Sequence, residues 1–225
     1  MLLDLKASIN KYANPIRAKH SLRFFKTGPG EYGQGDEFLG LNVPQQRSVV
    51  KKYKDLSLLD IQNLLDSKYH EYRLVGLLIL VSKKLDKEIY DLYLKNTARI
   101  NNWDLVDLTA PHIVGKYLLD KKRDILYRLV KSKLLWDRRI AVLATFTFIK
   151  NKDYTDSLQI AEMLLSDEED LMHKAVGWML REIGKRDVKV LECFLEKNIS
   201  KMPRTCLRYA IEKFPEEKRQ YYLKK

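Results

Sequence analysis

The segment from Asn101 to Lys116 reads NNWDLVDLTAPHIVGK, and a helical register places an indole, Trp103, and a carboxylate, Asp107, on one face. At about 100° per residue the two side chains point within roughly 40° of each other. Ala110 and Val114 continue that face, whereas Leu105, Leu108 and His112 point nearly the opposite way. Asn101 or Asn102 fits the N-cap, and Asp104 in the first turn is explained by the helix dipole alone. Asp107 has no such explanation. Pro111 lacks an N–H, so the carbonyl of Asp107 loses its helical partner and a bend is expected there. Further along, LLWDRRIAVLATF brings in Arg138 and Arg139, and HKAVGWMLRE sets Trp178 and Arg181 three residues apart on one face. Two indoles, a carboxylate and guanidinium groups at equivalent positions of adjacent repeats make a poor core. They suit nucleic acid, because bases stack on rings and guanidinium groups attract phosphate. A plainer reading also stands: curvature for Pro111, a structural ion pair for Asp107 and core packing for the Trp residues.

The elements that position these residues are helices. Periodicity of 3.6 predicts them at 2–12, 16–26, 44–54, 57–66, 69–84, 87–98, 103–119, 121–131, 135–150, 154–165, 168–184, 188–198 and 203–214, with a last turn through EEKRQYYL. Strand signals are nearly absent. The longer segments start at Tyr69, Asn101, Leu134 and Leu171, about 32 to 37 residues apart, and each follows a shorter amphipathic one. The unit is therefore a helical pair, and the expected fold is all-α: an α-α superhelix, or solenoid, of about five or six HEAT-like repeats with a concave basic groove, filling residues 1–225 as a single domain.

Lys26 to Pro44 interrupts the repeat and contains five of the nine glycines. It ends in no Gly-Lys-Ser/Thr and follows no strand, which excludes a nucleotide-binding P-loop. A lip beside the groove, or a long turn whose glycines supply positive φ, are the open alternatives. The chain has 42 Lys and Arg against 30 Asp and Glu, a formal charge of +12 that suits a polyanionic partner. The start MLLDLKASINKY has no basic region followed by an apolar one, and the longest apolar run, LVGLLILV, is too short to span a bilayer. A cytoplasmic protein with no membrane partner is expected. Cys193 and Cys206 lack paired spacing and read as buried free thiols, and His20, His70, His112 and His173 read as packing or surface residues with no metal site.

In four ordered segments, NNWDLVDLTAPHIVG, LLWDRRIAVLATF, HKAVGWMLREIGKRD and MPRTCLRYAIEKFP, the sequence resembles the DNA alkylation repair family, the AlkD-like DNA glycosylases. The Gly-rich KTGPGEYGQGDEFLG looks like the form found in one branch of that family. The resemblance implies excision of positively charged N3- and N7-alkylated purines from double-stranded DNA, without base flipping and with no cofactor. It assigns catalysis to Asp107, supported by Trp103 and Trp178 against the deoxyribose, and DNA backbone contacts to Arg139 and Arg181. Phe24 stands where the family pattern has a tyrosine, within Phe24-Phe25-Lys26, so the ring is kept and the hydroxyl lost. A cationic purine already leaves well and needs no general acid. The partner expected is double-stranded DNA carrying alkylated purines, and the protein is expected to act as a monomer. A non-catalytic HEAT-like DNA-binding protein or a protein-interaction scaffold is the alternative.

Overall fold

The computed structural model describes residues 1–225 and contains fourteen α-helices and no sheet. The expected all-α class holds. The chain divides into two compact units, Met1–Thr109 and Ala110–Lys225. The first holds α1 (Leu2–Asn10), α2 (Pro15–Phe24), α3 (Val43–Lys52), α4 (Leu58–Leu65), α5 (His70–Ser82), α6 (Lys87–Lys95) and α7 (Trp103–Asp107). The second holds α8 (Asp124–Val130), α9 (Leu135–Lys150), α10 (Thr155–Met163), α11 (Asp170–Gly184), α12 (Val188–Asn198), α13 (Arg204–Ala210) and α14 (Glu216–Lys224). Within the units α4 packs on α5, α8 on α9 and α11 on α13. The core of the first unit is lined by α5, whose residues from Leu74 to Leu80 are all buried, because a helix covered on several sides has little need of a polar face.

The long repeat helices start in a common way that the hydrophobic pattern does not reveal. Ser67 Oγ accepts from the Tyr69 N–H at 3.1 Å, and Arg73 Nη1 reaches back to the carbonyls of Ser67 and Lys68 at 2.8 and 3.1 Å. Ser132 Oγ likewise accepts from Leu134 N–H at 3.1 Å, and Arg138 Nη1 donates to the carbonyls of Ser132 and Lys133, both at 3.0 Å. At α11 Asp167 replaces the serine, accepting from Glu169 N–H at 3.0 Å, and His173 replaces the arginine, bonding the Asp167 carbonyl. In each case a side chain oxygen turns the chain into the helix and a nitrogen-bearing side chain further along ties down a carbonyl of the preceding loop. α7 lacks this start. Its entry is capped by Asn102, whose Oδ1 accepts from Trp103 N–H at 2.9 Å.

The helix expected over 103–119 is not continuous. α7 ends at Asp107, the Leu108 N–H still reaches the Asp104 carbonyl at 3.2 Å, and the Thr109 N–H turns to Val106 at 3.1 Å. Thr109 Oγ1 donates to the carbonyl of Leu105 and shares a 2.9 Å hydrogen bond with the Tyr93 hydroxyl. Beyond the break, Pro111–Gly115 forms a single π-helical turn, closed by the Lys116 N–H on the Pro111 carbonyl. The missing proline donor therefore terminates the helix instead of bending it. Ala110 and Val114 are both fully buried.

Within the second unit this π turn lies directly on α9. Thr147 Oγ1 donates to the Pro111 carbonyl at 2.6 Å, and a Cβ placed on Gly115 would sit 2.2 Å from the Ala144 carbonyl oxygen. Glycine is required here by close approach of two backbones. Gly115→Ala is expected to lower stability by about 1–3 kcal/mol through overpacking. Urea unfolding of the variant checks this, and an unchanged midpoint would contradict the contact.

Candidate active site and nucleic-acid interface

Trp103, in the first turn of α7, is part of a stack of rings inside the first unit. Its indole lies 5.4 Å from the Phe25 ring at an interplanar angle of 22°, with Phe24 edge-on at 5.7 Å. Phe25 stacks in turn on Phe38 at 5.0 Å and faces His70 at 4.9 Å. Phe38 also lies parallel to His70, 4.8 Å away. Both Trp103 and Asp107 are half-buried. Asp107 carries its charge close to Tyr93: burial pushes that hydroxyl well above the usual phenol range, the Thr109 hydrogen bond opposes this, and the Asp107 carboxylate adds to it.

His70 does more than pack, and Asp104, which does stand in the first turn of α7, does more than offset the helix dipole. His70 is 2 % exposed and lies between two carboxylates, Nδ1 3.2 Å from Asp36 and Nε2 2.9 Å from Asp104. Asp36 Oδ1 also pairs with Arg73 at 2.7 Å and accepts from Asn101 Nδ2 at 2.8 Å. Asp104 Oδ1 accepts from Leu105 N–H at 2.9 Å. Burial works against a charged imidazole, but the Asp104 carboxylate and the hydrogen bonds to both acids outweigh it and push His70 up to about 9. Burial likewise opposes the Asp36 charge, yet its bonds to His70, Arg73 and Asn101 hold it below the usual carboxylate range. Two anions thus face two cations, the condition under which buried charge is tolerated.

This cluster anchors three segments: Asp36 comes from the Gly-rich stretch, His70 and Arg73 from the start of α5, and Asn101 with Asp104 from the entry to α7. The Gly-rich stretch is a structured turn, with Gly30, Gly35 and Gly40 at positive φ, and it is pinned to α5 by hydrogen bonds between Glu37 and residues 68 and 70. Glu71, 1 % exposed, accepts from the N–H groups of Leu39, Gly40 and Leu41 at 2.9, 2.7 and 3.2 Å. Local sequence signals could not have found this network, because its members lie about a full repeat apart in the chain.

The second unit holds the remaining candidates. Arg139, on α9, is 5 % exposed and its Nη1 donates to the Leu171 carbonyl at 2.7 Å. Its neighbour Arg138 pairs with buried Asp167 at 2.6 Å. Trp178, on α11, is half-buried with its ring 6.0 Å from Phe146, and Arg181 one turn later pairs with Glu212 of the segment after α13. Phe24, in the first unit, is 64 % exposed. The thiols differ from expectation in one respect: Cys206 is buried, which pushes it up to about 12, but Cys193 is exposed, because it falls on the outer side of α12. No helix is long and apolar enough to cross a membrane, and no group of three or more His, Cys, Asp or Glu side chains is placed to hold a metal ion.

The family model described as DNA alkylation repair enzyme matches residues 5–214. The chain belongs to the DNA alkylation repair enzyme family. That membership makes it a DNA repair protein. A solved structure titled "Predicted DNA alkylation repair enzyme from Enterococcus faecalis" is similar over 91 % of this chain and 97 % of that one, at a TM-score of 0.73 and 16 % identity, a level that shows the fold. No curated protein matches the sequence. The family match spans α1 to α13, so it takes in α7, the ring stack and the His70 cluster.

Linkage makes the cluster measurable. A folded-state His70 near 9, against 6.5 for the free side chain, contributes stability that is complete below about pH 6.5 and is lost as pH rises through about 9. The melting temperature of the wild type is expected to fall across that window, and His70→Gln to flatten the fall while lowering stability at pH 6. A parallel decline in both proteins would show that His70 does not hold its proton in the fold.

Proposed function

We propose that this protein is a monofunctional DNA glycosylase that hydrolyses the N-glycosidic bond of N3- and N7-alkylated purines in double-stranded DNA. The observation that supports it is the pairing on α7 of a supported indole and a half-open carboxylate, Trp103 and Asp107, in a chain of the DNA alkylation repair family. Alkylation places positive charge on the purine, so the base departs without a proton donor. Bond cleavage moves positive charge to the deoxyribose. A carboxylate about 4 Å from that charge, at an effective dielectric near 20, contributes roughly 4 kcal/mol before desolvation costs. That corresponds to about two to three orders of magnitude in rate. Asp107 also orients the attacking water, the double duty that carboxylates perform in glycoside hydrolysis.

The indole of Trp103 adds about 0.5–2 kcal/mol as a wall beside the developing cation. The family resemblance gives Trp178 a deoxyribose contact and Arg139 and Arg181 contacts to the DNA backbone, for which Arg139 has to give up the Leu171 carbonyl and Arg181 the Glu212 carboxylate. Phe24 is the ring that meets the DNA beside Trp103. The lesion stays stacked in the duplex, and the shape of the protein surface sets which adducts fit. The working form is a monomer in the cytoplasm, bound to chromosomal DNA, and needs no metal or cofactor.

Release of 7-methylguanine from methylated duplex DNA tests this reading. Asp107→Asn is expected to slow release about 100- to 1000-fold while DNA affinity changes little, in line with the electrostatic contribution above. A wild-type protein that binds methylated DNA and releases no base above background would sink the glycosylase assignment. Full activity in Asp107→Asn would leave the enzyme without this mechanism.

Arg181 carries a second expectation. Its guanidinium is engaged by Glu212, so DNA binding has to exchange a carboxylate for a phosphate. Glu212→Gln frees the arginine and is expected to tighten DNA binding by roughly two- to fivefold, the range of an exposed ion pair. Fluorescence anisotropy at fixed salt measures this, and weaker binding would remove Arg181 from the interface.

A further inference from the structure

α2 stands apart from every other helix of the first unit because none of its residues is buried. It exposes Ile16, Leu22 and Phe24 at 72 %, 41 % and 64 %, a cost in apolar surface that packing within the unit offsets only in part. Its charges are all of one sign: Arg17, Lys19 and Arg23, with His20 between them and no carboxylate. The helix is nonetheless fixed in place. Asn14 caps it, accepting from Arg17 N–H at 2.9 Å, and its own N–H donates to the Leu39 carbonyl at 2.8 Å. Gly40 lies so close to the first turn that a Cβ there would be 2.2 Å from the Asn14 carbonyl oxygen. Buried Glu71 fixes the 39–41 turn from the other side.

Between this rigid turn and α2 lies an open cavity of about 670 Å³. Arg17, His20, Arg23 and Lys26 line it with cationic or protonatable groups, and Phe24 lines it with an aromatic ring. Phe24 is itself oriented by edge contacts to Phe25 and Trp103 at 5.0 and 5.7 Å. Nothing in the lining is acidic. A small apolar ligand would leave the cations unused, and a bare phosphate would leave the ring unused. A ligand with a flat π-face joined to a phosphate uses both, as in the binding of unpaired nucleotides by basic grooves set with aromatic side chains.

We propose that the cavity between α2 and the 39–42 turn binds one unpaired nucleotide of a DNA strand, its base against Phe24 and its phosphate among Arg17, Arg23 and Lys26. The site is separate in its chemistry from α7: it recognises an unstacked nucleotide of any sequence and breaks no bond. It rests on the DNA-binding half of the function proposed above and not on base release. A duplex bound here is therefore preferred when it has a nucleotide without a partner.

The test uses unmodified DNA, so its result does not depend on glycosylase activity. Affinities of the full-length protein are compared by fluorescence anisotropy for a fully paired duplex and the same duplex with one bulged thymidine. The wild type is expected to bind the bulged duplex about five- to tenfold tighter, the lower part of the range for one base–aromatic stack. Phe24→Leu, which keeps an apolar side chain but loses the ring, is expected to abolish the preference. Ser21→Trp fills the cavity without removing a charge and is expected to do the same, which keeps the test valid if either variant folds poorly. Equal wild-type affinities, or a preference that survives both substitutions, would overturn the proposal. Free deoxyadenosine monophosphate, added as competitor, distinguishes the source of the nucleotide: no competition at micromolar concentration is expected, and competition there would replace the DNA strand by a small nucleotide ligand. Loss of all DNA binding would instead strike at the function proposed for the whole protein.

Discussion

The first unit depends on a charged imidazole held away from water. His70 between Asp36 and Asp104 places charges where isolated ions cost several kcal/mol each, and they persist because Arg73 balances the second carboxylate. The geometric consequence matters more than the energy. Each carboxylate belongs to a different segment, so the imidazolium fixes the Gly-rich turn and the entry to α7 relative to α5 at once. Phe25 and Phe38 both pack against its ring as well as on each other, and Phe25 in turn stacks on Trp103. The indole that meets the substrate in the proposed mechanism is thus positioned through one intermediate ring by a buried ionic cluster.

The repeat is regular where it builds the fold and irregular where it presents side chains. α5, α9 and α11 share a start in which an oxygen and a nitrogen-bearing side chain tie each helix to its preceding loop. α7 departs from this start, is one and a half turns long, and is followed by a break and a π turn. A full helix from 103 to 119 would have set Ala110 and Val114 beside Asp107. The break leaves Asp107 as the last residue of α7, and Ala110 and Val114 are buried in the core of the second unit. Pro111 is the cause on the sequence level, and Thr109, bonded back to Leu105 and across to Tyr93, closes the end that the proline leaves open.

The net charge of +12 is not spread over equivalent arginines. Arg73 and Arg138 hold loops, Arg139 is buried against a carbonyl of α11, and Arg181 is engaged by Glu212. α2 uses its cations differently: they border a cavity with an exposed ring and no carboxylate. A basic composition therefore says little until each guanidinium has been followed to its partners, since those already held by carbonyls or acids are not available to phosphate without rearrangement.

The sequence by itself determined the all-α class, the helices and their repeat spacing, because hydrophobic periodicity is a local property of the chain and α9 and α12 fall where that pattern puts them. It also singled out Trp103, Asp107 and Pro111, since an indole, a carboxylate and a proline at helical spacing conflict with a simple core helix. Three things were decided only by the tertiary structure. Asp104 looked like a first-turn charge until its partner, some thirty residues earlier, was in place beside it. The bend expected from Pro111 became a break, with Thr109 tied back to the Leu105 carbonyl and held across by Tyr93. Phe25 falls at the end of a helix expected over 16–26 and Phe38 in the Gly-rich interruption, and their stacking on a charged histidine follows from packing between segments distant in the chain, which no local pattern encodes.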